Sequence, residues 1–390
     1  MSLILPYDNN LNDGGFYQVG EAKFLVKSEA LLYATQTKQS VYWNWHDELL
    51  DTFDWSVEPS EGLDQLYRER AEDLRSRYDH IVLHYTGGYD CNNILETFIR
   101  NNIKIDELLI RMHKIDDWSE SDGLKSSNAG SESKHTAYPL AKWVKDTYFP
   151  HLIINVVDPF EVTMSWLSKN KHYAEDKPWI LDPTQLMRSN FDMIDNRYVD
   201  MAEKGIRIVH ITGHDKPVVD LDEAGNVCSY VVDTPFSRGY MTPRITMQHL
   251  PYYFEFFYWH KNCAKMLIKQ SHIIMKHNLH VTEFKYADLN GREQREYEDS
   301  RSSILYRNGL PRPRPGEKSI NHTVIPEEHI WWFKYSDTKE FHNWKRNQAK
   351  LHFLIGKQFH NRGNFFEHGL HRCKSKRRII HAPLDNSVLA

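Results

Sequence analysis

The chain has 390 residues, enough for one large or two ordinary domains, with 49 Lys and Arg against 53 Asp and Glu and a formal net charge of −4. That balance excludes the bulk polycation character of a general nucleic-acid binder, and no uninterrupted apolar run is long enough to span a bilayer. The four cysteines, Cys91, Cys228, Cys263 and Cys373, form no CxxC pair and no disulfide framework. The first residues, MSLILPYDNN, have no signal-peptide pattern, so a cytoplasmic protein without structural zinc is expected. The 22 histidines are dispersed, with no HExxH spacing.

Residues 1–60 read as a small N-terminal α+β module. Short strands are predicted at Phe16–Val19 and Lys23–Val26, a helix from Ser28 through Ala34, and an extended piece at Val41–Trp45. Leu63, Leu66, Tyr67, Ala71, Leu74 and Tyr78 recur at helical spacing and predict an amphipathic helix. That helix leads into IVLHYTGGYDC, residues 81–91. Here an apolar strand stops at Thr86-Gly87-Gly88-Tyr89-Asp90-Cys91, and a helix begins whose apolar face carries Ile94, Leu95, Phe98 and Ile99. Further strands are predicted at 107–112, 152–157 and 206–211. Helices are predicted at 133–149, from Pro159 through Trp166, and within 184–204. The polar stretch 116–133 has the size of a functional lid. Strands alternating with helices over residues 61–241 predict an α/β domain with a parallel, doubly wound sheet.

Two hairpin strands, 218–221 and 227–232, flank Glu223-Ala224-Gly225-Asn226. Residues 242–390 read as a mainly helical C-terminal region. Pro251 is expected to open a helix bearing Phe254, Phe257 and Tyr258, and a second helix runs through Met275. The proline-rich 310–316 is a loop, and Lys318 beyond it is expected to be exposed. The region ends in a basic tail around Arg377, with a contact to nucleic acid as its functional reading.

A strand, a glycine turn and a helix N-terminus present backbone N–H groups and the positive end of a dipole to an anion, above all phosphate. Asp90 repels such an anion unless a cation such as Mg²⁺ lies between them. A second turn, Thr212-Gly213-His214-Asp215-Lys216-Pro217, follows the 206–211 strand, and both turns are expected at the carboxyl ends of the strands. Each residue also has a plain reading: Asp90 as a helix N-cap, Asp215 and Lys216 as a solvated turn, Cys91 as a small buried residue. His272 and Gln270 fit packing and site roles equally.

TGGYDC after a buried strand resembles the SGGxDS signature of the PP-loop ATP pyrophosphatases, and GHDKP resembles the second nucleotide motif of their asparagine-synthetase branch. The resemblance spans roughly residues 78–235. A longer pattern, from WNW through TGGYD to GHDKP and FYW, is similar to such proteins from tailed bacteriophages, which would place the chain in a host cytoplasm. The resemblance implies an ATP-dependent, AMP-forming enzyme. A substrate oxygen attacks the α-phosphorus of ATP, pyrophosphate leaves, and an amine-type nucleophile displaces AMP. It further implies that Thr86, Gly87, Gly88, Tyr89, Cys91 and Gly213 surround the pyrophosphate. Asp90 and Asp215 would hold Mg²⁺, Lys216 would meet the phosphates, and adenine would rest near Met112. The acceptor, a small molecule or a macromolecule, is left open. Thr86 and Cys91 stand where the signature has serine. The Cys91 thiol is a poor donor to phosphate. A non-catalytic nucleotide-binding protein and a tRNA- or DNA-modifying enzyme are the alternative readings.

Overall fold

The computed structural model describes residues 15–24, 27–112, 133–158, 196–213, 216–232, 250–278, 300–307, 309–310 and 373–383, with scattered positions between 336 and 353. In chain order the elements are β1 (Phe16–Val19), β2 (Ala22–Phe24), α1 (Lys27–Thr37), β3 (Tyr42–Asn44), α2 (Asp47–Leu50), α3 (Leu63–Arg77), β4 (His80–His84), α4 (Tyr89–Arg100), β5 (Glu107–Arg111), α5 (Tyr138–Thr147), β6 (Ile153–Val157), α6 (Asn196–Glu203), β7 (Ile208–Thr212), β8 (Val218–Leu221), β9 (Val227–Tyr230), β10 (Tyr252–Phe256), α7 (Ala264–Asn278) and β11 (Arg378–His381). None of the described helices is long and apolar enough to cross a membrane.

Five strands form an all-parallel sheet in the order β10-β7-β4-β5-β6. β4 and β7 lie at its centre, and every residue of both is buried, as parallel strands covered on two faces require. Alternation along the strands sends Tyr252 to one face and Glu255 to the other. Tyr198 of α6 packs against His210 and Tyr252 on the first face, while Arg70 of α3 reaches Glu255 on the second, so helices cover both. α4 forms because Ile94, Leu95 and Phe98 supply one buried stripe. It ends where Asn102 turns left-handed at φ 51° and the Ile103 amide returns to the Phe98 carbonyl at 2.9 Å.

The helix expected to open at Pro251 is strand β10. Phe254 and Phe257 match a helical stripe, but the edge of β7 supplies ladder partners from Tyr252↔Ile208 to Phe256↔Thr212, and the five residues YYFEF pair with it as a strand. The sheet therefore takes its fifth strand from beyond residue 241. The expected basic tail also differs, because Arg378–His381 pairs antiparallel with β9 as β11, in a sheet ordered β11-β9-β8. Its charges are matched at home: Arg377 meets Asp220 at 2.7 Å, and Arg378 meets Asp47 at 2.7 Å and Asp51 at 3.1 Å. The N-terminal strands form the sheet β2-β1-β3, and the Trp43 amide donates to the Lys374 carbonyl at 3.0 Å. The helix expected from Pro159, most of the 116–133 loop, the 311–316 prolines and Lys318 lie outside the described residues.

Burial in this sheet is not purely apolar. Under α6, His80 Nε2 lies 3.1 Å from Glu107, whose other oxygen accepts from Arg197 at 2.6 Å and from the Tyr198 hydroxyl. His84 and His210 share a hydrogen bond of 2.9 Å, and His210 meets the Tyr252 hydroxyl at 3.0 Å. Burial, with Arg111 nearby, pushes His84 down to about 3, and burial with His84 pushes His210 well below its usual value, so both rings are neutral at ordinary pH.

On the opposite face Glu255 accepts from Arg70 and Arg77 at 2.6–2.7 Å and from the Tyr78 hydroxyl. Burial raises its pKa, but the two guanidiniums overcome burial and hold the carboxylate well below its ordinary 4.5. The stability it contributes is therefore present above pH 4.5 and is lost as pH falls through the depressed folded value. Glu255→Gln is expected to cost on the order of 3–5 kcal/mol in urea unfolding at neutral pH, because it leaves the buried Arg70 short of a counter-charge. The variant is also expected to lose part of the wild-type decline below pH 4.5. Equal stability of the two proteins at pH 7 would remove this role.

Candidate functional site

The strand order reverses between β4 and β7: β5 and β6 extend one way from β4, and β10 extends the other way from β7. A crevice opens at the carboxyl ends of strands at such a reversal. Residues 85–91 follow β4 there, and Gly213, Lys216 and Pro217 are the described residues that follow β7.

The two turns touch. A Cβ built on Gly213 would lie 2.8 Å from the Asp90 carbonyl carbon and 2.9 Å from the Cys91 nitrogen, distances that no larger residue tolerates. Gly87 takes φ +80°, and a Cβ there would come within 3.0 Å of the Ala137 nitrogen, ahead of α5. Asn92 sets the shape of the first turn. Its amide nitrogen donates to the Gly87 carbonyl at 3.0 Å, and its oxygen accepts from the Tyr85 hydroxyl at 2.5 Å. Gly88 is the N-cap of α4 and gives it no side-chain cap; the Asn92 amide is the one that returns to the Gly88 carbonyl, at 2.9 Å. The helix thus begins in the glycine turn, and a helix N-terminus carries the positive end of the helix dipole, which favours an anion.

Asp90 sits at the centre of the charged groups. Its Oδ1 accepts from the Tyr306 hydroxyl at 2.6 Å and lies 3.0 Å from Lys216 Nζ. Its backbone carbonyl accepts from the Tyr258 hydroxyl at 2.9 Å, and Asn93 donates to that same hydroxyl at 3.0 Å. The Tyr258 and Tyr306 rings stack at 5.3 Å, and Lys216 Nζ stands 5.4 Å from the Tyr306 ring centre. Burial, reinforced by the Asp90 charge, raises both phenols well above their ordinary pKa, so both remain donors. Arg301, in a helical turn over residues 300–305, donates to the Pro217 carbonyl at 3.1 Å. Residues 301–306 therefore grip both glycine turns.

Of the residues singled out in the sequence, the structure brings together Thr86, Gly87, Gly88, Tyr89, Asp90, Cys91, Gly213 and Lys216. Thr86 is exposed, and its Oγ1 accepts from the Gly88 amide at 3.3 Å. Cys91 is buried, with its thiol donating to the His84 carbonyl at 3.3 Å, the small packed residue of the plain reading. Lys216 is buried and ion-paired, not solvated. Met112 follows β5 on the same side of the sheet, with its amide donating to the Val157 carbonyl at 3.0 Å. Asp215 lies outside the described residues. Gln270 and His272 are packing residues of α7, bonded to the Tyr67 hydroxyl at 3.2 Å and the Trp55 carbonyl at 2.9 Å.

Tyr258, Tyr306, Asn93 and Arg301 belong to the cluster and were not read as site residues in the sequence. Tyr258 stood in a conspicuous aromatic run, whereas nothing around Tyr306 marks it. Asp73, Glu255 and His260 bring ligand atoms within 4.8 Å of one another, but Arg70 and Arg77 fill that grouping with positive charge, which makes it an ion network and no cation site.

Fold and site together define a parallel α/β protein with a two-turn, glycine-lined cradle at the switch point of its sheet. No protein-family model matches the chain, and no curated protein is similar enough to stand as a relative. The cradle itself is open to test. Gly213→Ala is expected to force the turns apart, costing about 1–3 kcal/mol in thermal or urea unfolding. An unchanged melting midpoint would show that the two turns are not in contact.

Proposed function

We propose that the chain is an ATP-dependent, AMP-forming enzyme of the PP-loop kind. It adenylylates a substrate, releases pyrophosphate and passes the activated group to an amine-type nucleophile. The observation that carries this reading is the contact of Gly213 with Asp90 and Cys91, which makes one cradle from the two glycine turns at the switch point. Glycine alone allows that approach, and polyphosphate is the ligand whose oxygens such backbone recognises.

Mg²⁺ suits the carboxylate donor at the cradle, and Asp90, a quarter exposed, is the described residue that would hold it, with Asp215 as the expected second. When bound, the ion would offset the charge that builds on the leaving pyrophosphate. The chain's own groups do the rest. The α4 N-terminus and Gly87-Gly88 orient the β- and γ-phosphates, Lys216 adds a buried positive charge, and Tyr306 fixes the direction of Asp90. Adenine near Met112 would lie on the neighbouring strand end.

One observation favours a second reading, a nucleotide-binding protein without turnover: Asp90 is already paired with Lys216. A nucleic-acid-modifying enzyme is less favoured, because Arg377 and Arg378 are engaged with Asp220, Asp47 and Asp51.

Pyrophosphate release from Mg·ATP, assayed over a panel of carboxylate and amide acceptors, is expected in the wild type. It should fall at least about 100-fold in Asp90→Ala. Binding of Mg·ATP by calorimetry without any pyrophosphate release selects the second reading. Neither binding nor release would defeat both.

A further inference from the structure

The Asp90–Lys216 pair has a consequence for which ligand the cradle accepts. Lys216 Nζ lies 3.0 Å from Asp90 Oδ1, with the lysine side chain 4% exposed and the aspartate 25%. A buried ammonium requires a counter-charge, and Asp90 provides it. The surroundings hold the pair in place from both sides. Gly213 leaves no slack between the two backbones, Arg301 ties the Pro217 carbonyl, and Tyr306 and Tyr258 hold the carboxyl and carbonyl of Asp90. The ammonium that pairs with Asp90 also stands over the Tyr306 ring face, 5.4 Å from its centre, so the ring adds to the attraction that holds it.

An anion entering alone has to draw Lys216 off Asp90 and then face an uncompensated carboxylate. A cation entering alone has to displace the ammonium and leave it buried without a partner. A metal-chelated polyphosphate brings both charges, so each member of the pair exchanges one partner for another and no buried charge is left single.

We propose that the Asp90–Lys216 pair makes the cradle selective for a metal-chelated polyphosphate over the bare anion or the bare cation, with Tyr306 as the positioning residue that keeps Asp90 in place during the exchange. The proposal rests on the reading of the cradle as a polyphosphate site. Metal and nucleotide then assist each other's binding by the same factor, since such coupling is reciprocal.

The test is calorimetric titration of the full chain with ATP, once in EDTA and once with Mg²⁺, joined to Mn²⁺ titration without nucleotide, read by electron paramagnetic resonance. Asp90→Asn keeps an acceptor for the Tyr306 hydroxyl and removes the charge. It is expected to bind metal-free ATP about tenfold or more tightly than wild type, although it loses turnover. Lys216→Met is expected to bind Mn²⁺ alone more tightly than wild type. Tyr306→Phe is expected to weaken Mg·ATP and leave metal-free ATP unchanged; equal weakening of both would reduce Tyr306 to a structural residue and overturn its positioning role. If wild type binds Mg·ATP while Asp90→Asn gains nothing for metal-free ATP, the exchange is wrong and the nucleotide reading stands. If neither protein binds ATP under either condition, the nucleotide reading itself fails. Should Lys216→Met not fold, the Asp90→Asn titration decides alone.

Discussion

A carboxylate without solvent, Glu255, sits on the edge strand β10 and is tolerable only because α3 delivers two guanidiniums to it. Arg70, itself fully buried, also donates to the carbonyls of Phe256 and Phe257 at 2.9 and 3.2 Å. Those carbonyls belong to the point where the chain leaves β10. Their capture fixes the exit direction, and the next residue is Tyr258, whose hydroxyl reaches the Asp90 carbonyl. The ion network is therefore upstream of the cradle. It docks α3 on the sheet, seats β10 beside β7, and aims an aromatic hydroxyl at the first helical turn of α4. Such a buried cluster is a costly way to stabilise a fold. Here it delivers direction, because a planar fork bonded to two carbonyls and a carboxylate permits few arrangements.

The cradle depends on this frame but is made of small backbone facts: a left-handed glycine, a glycine with no room for a methyl group, and an asparagine bridging the turn. They are set side by side by the adjacent, hydrogen-bonded strands β4 and β7. Lys216 and Tyr306 arrive from separate parts of the chain and meet at one carboxylate oxygen, which makes Asp90 a junction of three chain segments.

Much of this was legible from local pattern. Strands β4, β5, β6 and β7, the TGGYDC turn, the α4 stripe and the hairpin of β8 and β9 all follow from apolar runs and turn residues, because each is decided within a few residues. The proximity of the two glycine turns followed from parallel topology alone. The illegible parts were decided across space. β10 has the aromatic spacing of a helix, and only the open edge of β7 makes it a strand. The segment at Arg377 has the composition of a solvated tail, and only Asp47, Asp51 and Asp220 make it a strand with matched charges. His84 and His210 hid inside runs that read as apolar because each is the other's hydrogen-bond partner. Tyr306 carries no local signal; its meaning lies wholly in where Asp90 is.

The bond from Tyr306 to Asp90 spans 216 positions of sequence. Contacts of that separation are the slowest to form, because the chain must close a long loop before they reward it. During synthesis the TGGYDC turn and α4 leave the ribosome long before Tyr306 exists. β11, which joins β9 and lies next to the Lys374 carbonyl that Trp43 bonds, follows later still. Domains take shape from the N-terminal side as they are made. The cradle of this protein is thus among the last features to be completed, and a nascent chain cut short before residue 306 holds Asp90 with neither the hydroxyl nor the ring that frame it in the finished molecule.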